Sequence, residues 1–360
     1  MYNLSIGSTV VVLGDLWSRT LTSENLETWT LRRLAKVSQC CLIDPRTHLT
    51  TPAVSTPESY WLFCPNLPAA YLYVALFAAT TLAHIFQMVQ SRKWYSWIII
   101  TSGLIQTAAY ALRVISIQNP AHSGYYPAHF ILLMVGPVWT NAYAYMAMGR
   151  MVYNFTSGAS VFRIRAWHLG STFVLLDVAC FLIQLAGAAL ATADGWATSH
   201  RRMMDGLHIY MAGCGFQQLC ILLFLVVTIR MHQDVLWELT ADRRRRALIL
   251  LYTEYVVVTF ISIRIVFRLI EFSKGLQSSI PWHEEFQYVL DSTLMLVASV
   301  LFNVFHPGRL MPGKEADLPS RRERKTQKLR GKIVHTRGDS DVEVILQKPK
   351  EEKGYEMTWI

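Results

Sequence analysis

Long uncharged runs, separated by short basic stretches, dominate the pattern of this 360-residue chain. No Asp, Glu, Lys or Arg occurs from Ser59 to Ser91, from Trp94 to Leu112, from Val114 to Gly149 or from Gly206 to Ile229. Each run can supply the about 20 apolar residues that a helix needs to cross the roughly 30 Å hydrocarbon layer. The runs lack the strict alternation of a barrel strand, and lipid leaves backbone groups no partner outside a helix or a closed barrel. The pattern therefore predicts an all-α membrane protein, a seven-transmembrane-helix bundle with spans near 68–90, 94–116, 127–153, 168–192, 206–230, 247–270 and 286–305. The fourth, sixth and seventh are less pure, carrying Asp177, then Glu254, Arg264 and Arg268, then Asp291, so partners for these groups are required inside the membrane. Residues 1–67 read as an external lead-in with an N-x-S sequon at Asn3, and 309–360 as a charged cytoplasmic tail expected to be disordered.

Composition agrees with that reading. Hydrophobic residues make up 52% and charged residues 16%, against roughly 25% charged in a soluble domain, which sets soluble enzyme classes aside. The net charge of +9 would point to nucleic acid in a soluble protein, but here 13 of the 34 Lys and Arg fall in the tail from Arg309, and most others fall in loops. No nucleic-acid partner is implied. Loops one, three and five carry Arg92, Lys93, Arg150, Arg163, Arg165, Arg230 and Arg243 to Arg246, whereas loops two, four and six carry only Arg201, Arg202 and Lys274. The positive-inside bias thus predicts an external N-terminus, a cytoplasmic C-terminus and an unglycosylated second sequon at Asn154. The first residues lack the layout of a signal peptide, so insertion is expected to rely on the first span.

Several chemistries find no support. Gly308 to Glu315 imitates a P-loop, but Glu315 stands where Ser or Thr should bind Mg²⁺ and no strand precedes it. The eleven histidines form no H-x-x-H or H-x-x-x-H pair, and the six cysteines form no paired C-x-x-C; an isolated Cys41–Cys64 bridge stays open. The seventh span has no lysine for a retinal Schiff base. No cofactor or metal is indicated.

The polar residues at membrane depth remain. With spans two and six running outward and span seven inward, Arg113, Arg264, Arg268, Glu271, Glu284 and Asp291 all fall in the outer half, and their charges sum to zero. Arg264, Arg268 and Glu271 share one helix face at i, i+4, i+7, and so do Glu284, Tyr288 and Asp291; the two faces are expected to meet, with Arg113 and Tyr110 nearby. Such a network could simply hold the bundle, or part of it could contact a headgroup or gate a pathway. Deeper in, Asp177, Gln106, Gln184 and Gln217 could bridge helices, and Gly187 and Gly213 would allow close approach beside the glutamines.

These residues, in this order, resemble the fungal lipid-translocating exporter family, the RTA-like proteins, from Tyr60 to Gly308. The specific mark is R-x-x-F-R-x-x-E-x-x-x-G from Arg264 to Gly275, followed by E-x-x-x-Y-x-x-D from Glu284 to Asp291. Pro137, Tyr145, Gly149, Asp177, Gln184, Gly206, Gln217 and His306 to Gly308 also match. The chain departs where the family usually has an acid in span two followed by Gly-Tyr, with Gln106 and Ala109-Tyr110 instead.

The resemblance implies a plasma-membrane protein that exports amphipathic lipids or lipid-like toxins, such as sphingoid long-chain bases or sterol-like amines, and gives resistance to them. It implies membrane lipids and an amphipathic small molecule as partners. On this reading Tyr110, Arg113, Asp177, Gln184, Gln217, Arg264, Arg268, Glu271, Glu284, Tyr288 and Asp291 form either a substrate pathway or a structural charge network. The outer carboxylates would receive a cationic amine, and the arginines would keep them ionised. A seven-helix receptor for an amphiphile is the alternative, and an intramembrane lipid hydrolase using Asp177 with a histidine and a metal is a third. The run Arg321–Lys332, with seven positive charges against one negative, should bind anionic headgroups on the cytoplasmic side.

Overall fold

A computed structural model of the protein describes Trp61 and residues 65–119, 122, 124–156, 158–192, 200–273, 283–313, 316–319 and 323. The Asn3 sequon, Cys41, Cys64 and the basic run of the tail apart from Glu323 lie outside the described residues. The chain divides into two compact units, Met1–Ala316 and Asp317–Ile360, and every membrane-length helix lies in the first.

Among the described residues, seven helices are long and apolar enough to cross a membrane. They are α1 (Leu67–Ser91), α2 (Trp97–Gln118, entered through a 3-10 turn at Trp94–Ser96), α3 (Tyr125–Phe155), α4 (Ala166–Thr192), α5 (His200–Glu238) and α6 (Ala241–Ser273), followed by a seventh span. That span, Glu284–Leu310, consists of α7 (Glu284–Gln287), a π-helical turn at Tyr288–Ser292, α8 (Thr293–Val304) and the short α9 (Pro307–Leu310). Two starts are capped by a side chain. Asn66 caps α1 by accepting a hydrogen bond from the Ala69 amide at 3.0 Å, and α9 starts where the His306 ring accepts one from the Gly308 amide at 3.1 Å. Arg92 ends α1 in the left-handed conformation, with φ 53°.

Polarity is inverted relative to a soluble bundle. Leu72, Leu82, Phe86, Leu175, Leu182 and Leu223 are exposed, while Arg113, His129, Asp177, Glu254, Arg268 and Asp291 are buried. Contiguous apolar surface of this kind is shielded by lipid, since water would penalise it. The polar interior is correspondingly hydrogen-bonded across helices rather than to solvent.

Neighbouring spans pack in sequence order, and the closest pair is α4 with α5. A Cβ at Gly187 would strike the backbone of Tyr210 and Gly206, and one at Gly206 would strike that of Ala191 and Gly187. Backbone-to-backbone approach of this sort lets dispersion contacts hold helices together where lipid removes the hydrophobic drive.

The end of the bundle rich in arginine is stitched by polar contacts. The Arg150 guanidinium lies over the Tyr95 ring at 3.7 Å, Lys93 Nζ donates to the Gly313 carbonyl at 2.6 Å, and Arg243 donates to the Asn154 carbonyl at 2.7 Å. Asn154 in turn donates its side-chain amide to the Arg150 and Ala316 carbonyls. A two-stranded hairpin, Ser160–Val161 with Ile164–Arg165, closes the turn between α3 and α4. One expectation is corrected here. Arg243 to Arg246 do not sit in a loop, because α5 runs to Glu238 and α6 begins at Ala241 with Asp242 in its first turn. Arginine is a good helix former and an acidic first turn favours the helix dipole, so both helices continue past the apolar layer.

Candidate functional site

At the opposite end, helices α2 and α6 and span seven bring three arginines and three carboxylates together. Asp291 is the hub. One of its oxygens accepts from Arg264 and the other from Arg268, and the carboxylate is 1% exposed. Arg268 also reaches Glu271 on its own helix at 2.9 Å. Arg113 of α2 pairs with Glu284 at 2.6 Å and donates to Gln287 at 3.0 Å. The second Glu284 oxygen accepts from the Asn66 amide at 2.8 Å, which ties the start of α1 to the start of span seven.

The cluster is internally neutral. Removing two charges from water costs several kcal/mol per ion, and pairing with good geometry offsets this. Asp291, with two arginines, has no oxygen left over; Glu271 and Glu284, with side chains 11% and 10% exposed, stand at its rim.

An aromatic stack lies beside the ions. Tyr110 stacks on Phe77 and Tyr73 with ring centroids 5.8 and 5.1 Å apart, and Tyr288 lies against Tyr73 at 4.8 Å. The Arg113 guanidinium is 5.0 Å from both the Trp61 and the Tyr288 ring centroids, and it also contacts His129 at 3.1 Å. Tyr110 donates its hydroxyl to Ser292. The planar guanidinium can use ring faces as well as carboxylates, which a lysine ammonium does less well.

The two predicted faces do meet, but not in the simple way the spacing implied. Asp291 goes to α6 and Glu284 goes to α2. The π-helical turn at Tyr288–Ser292 separates them, and π-bulges of this kind place an additional residue in the turn and frequently mark functional positions.

A second polar group sits deeper. Asp177 accepts from Gln217 at 2.6 Å and from Asn141 at 3.1 Å, and Gln217 accepts from Gln184 at 2.9 Å, a chain linking α3, α4 and α5. Gly213 packs on Gln184. Gln106 does not join this chain; its side chain lies against Gly136 between α2 and α3. The sequence reading missed Asn141, His129, Gln287, Ser292, Tyr73 and Asn66, all uncharged partners whose roles depend on which helix faces which. Among the described residues, no group of three or more His, Cys, Asp or Glu is placed to hold a metal ion.

Between α5, α6 and span seven an apolar groove of about 480 Å³ opens beside the cluster. Phe267 and Leu290, each the sequence neighbour of a cluster ion, line it together with Leu225, Val258, Val266 and Phe286. The groove and the cluster thus share α6 and span seven, though none of the six ions lines the groove.

The family model described as RTA1 like protein matches residues 99–314. The chain is similar to the probable lipid transporter atnI of Emericella nidulans, 33% identical over 272 residues that cover 72% of this chain and 70% of that protein. It is similar to the sphingoid long-chain base transporter RSB1 of Saccharomyces cerevisiae, 24% identical over 310 residues, 74% of this chain and 78% of that protein. The lipid-translocating exporter-like protein RTA1 of Leptosphaeria maculans is 24% identical over 290 residues, 74% of this chain and 54% of that protein. No solved structure matches the chain.

Proposed function

The chain belongs to the RTA1-like family, and from that premise we propose that it is a lipid exporter, moving a cationic amphiphile of the sphingoid-base class between leaflets or out of the cell. Relatives bearing the names of lipid and sphingoid long-chain base transporters support this reading and favour a transporter over an enzyme. The observation that carries it is the juxtaposition of the apolar groove with the ion cluster. The groove offers apolar room for an acyl chain on the same helices that carry the carboxylates Glu271 and Glu284. Glu271 and Glu284 receive the amine, because each has a single arginine and a side chain about a tenth exposed, whereas Asp291 is committed to two arginines and holds the frame.

The loop charges support the orientation, and membership of the family supports the plasma membrane as the location. The cluster faces outward, the arginine-rich end is cytoplasmic, the protein resides in the plasma membrane, and the basic run Arg321–Lys332 binds anionic headgroups. Tags before Asn3 and after Ile360 test the orientation: the first should be accessible in intact cells and the second not. The function is tested in proteoliposomes containing the full chain alone, with a fluorescent sphingoid base. Flux without chemical change is the expected result. Binding without flux would instead establish the receptor reading, and conversion of the lipid would establish a hydrolase.

A further inference from the structure

One ionisable group takes part in neither network. Glu254, on α6, is 1% exposed, and its Oε2 is buried without a hydrogen-bond partner. No ion pair reaches it among the described residues. The flanking cations on its helix, Arg246 and Arg264, are eight residues before and ten residues after it, about 12 and about 15 Å along the axis.

At those separations and an effective dielectric of about 20, attraction amounts to about 1 kcal/mol from each, whereas burying an unpaired charge costs several. The group therefore keeps its proton while enclosed and can lose it only when water enters. Its surroundings fit proton transfer better than ion binding. From α3, Tyr143 and Tyr145 lie close enough to feel the charge of Glu254, and Tyr145 also feels Asp177 and Cys220 of α5. The Tyr145 hydroxyl is itself buried with no hydrogen-bond partner, its ring set between Phe173 and Phe224. Span seven has no titratable residue between Asp291 and His306, and the flanking Tyr252 and Tyr255 of α6 pack with His232 of α5. The groups nearest Glu254 on α3 are thus tyrosine hydroxyls; Arg150, which also acts on Tyr143, lies over the Tyr95 ring and makes no ion pair with Glu254.

We propose that Glu254 is a proton-exchange site that couples lipid movement to a proton gradient. When the bundle opens to one side, water supplies a proton and an O–H bond forms on the carboxylate. When it opens to the other side, that bond breaks and the proton passes to water there, with Tyr145 placed to relay it; no electrons change hands. This rests on the transport reading of the ion cluster and groove. It adds the source of the driving force.

The test uses proteoliposomes holding the full chain, a fluorescent sphingoid base and an enclosed pH dye. With one proton per lipid, a gradient of about one pH unit sustains about a tenfold lipid asymmetry, and lipid addition should move protons. Glu254→Gln should abolish both responses, and Glu254→Asp should keep them with a shifted pH profile. Wild-type flux indifferent to the gradient overturns the proposal, as does a Gln variant that responds like wild type. If the Gln variant does not insert, an Asp variant with the wild-type pH profile overturns it equally. A wild-type protein with no lipid flux at all would instead sink the transport reading.

Discussion

The two buried polar regions handle charge in opposite ways. In the cluster, each carboxylate has an arginine, Asp291 has two, and the six charges cancel. In the deeper layer, Asp177 is held by two amides, while Glu254 Oε2 has no hydrogen-bond partner and Glu254 no ion pair among the described residues. Paired ions in a low-dielectric interior are locked, since neither can leave without stranding the other. An unpaired acid, in contrast, can change its protonation whenever water arrives. The comparison assigns framing and headgroup contact to the first region and exchange to the second.

The sharpest way to break that contrast is to treat one residue of each region alike. Asp291→Ala leaves Arg264 without its carboxylate and Arg268 with Glu271 alone, and we expect a loss of about 3–5 kcal/mol, read as failed surface expression or a large drop in melting temperature. Arg268→Glu should do comparable harm, and combining it with Asp291→Arg should restore expression only in part. The swapped arginine would meet Arg264, and the new glutamate would meet Glu271. Full rescue would show the pair to be isolated from its neighbours.

Gly187→Leu acts on the deeper region through its scaffold. The side chain would enter the backbone of Tyr210 and Gly206, parting α4 from α5 at a cost of about 1–3 kcal/mol. Thermal melting in detergent measures it, and an unchanged midpoint would mean that the two helices are not tightly apposed. Gln184→Ala removes only the terminal donor of the amide chain, and about 0.6 kcal/mol is expected. Glu254→Gln should leave thermal stability unchanged, because one neutral group replaces another of the same shape. A large loss of stability there would mean that the carboxyl is ionised and paired after all, and the contrast would collapse.

How much of this could be read in the chain differs between the layers. The charge-free runs gave the existence and order of the spans, and i, i+4, i+7 spacing gave the faces of α6 and span seven. Spacing along an ideal helix could not give the π-helical turn, which sends Glu284 to Arg113 while Asp291 goes to Arg264 and Arg268. Nor could it show that α5 and α6 extend until only Leu239 and Thr240 separate them, since hydropathy marks the lipid boundary and not the end of a helix.

Sequence alone determined that this chain carries seven membrane-length apolar spans, that Arg113, Arg264, Arg268, Glu271, Glu284 and Asp291 sum to zero charge, and that Gln184 and Gln217 fall near the middle of spans four and five. These are properties of composition and of one-dimensional period, and the bilayer enforces them on each helix separately. Tertiary structure decided which charge answers which, that Asn141 completes the Asp177 site, and that Glu254 has no ion pair among the described residues. Helix rotation and crossing decide those, through close approach at Gly187 and Gly206 and through a local change of helical pitch, and neither leaves a mark in the spacing of charges along the chain.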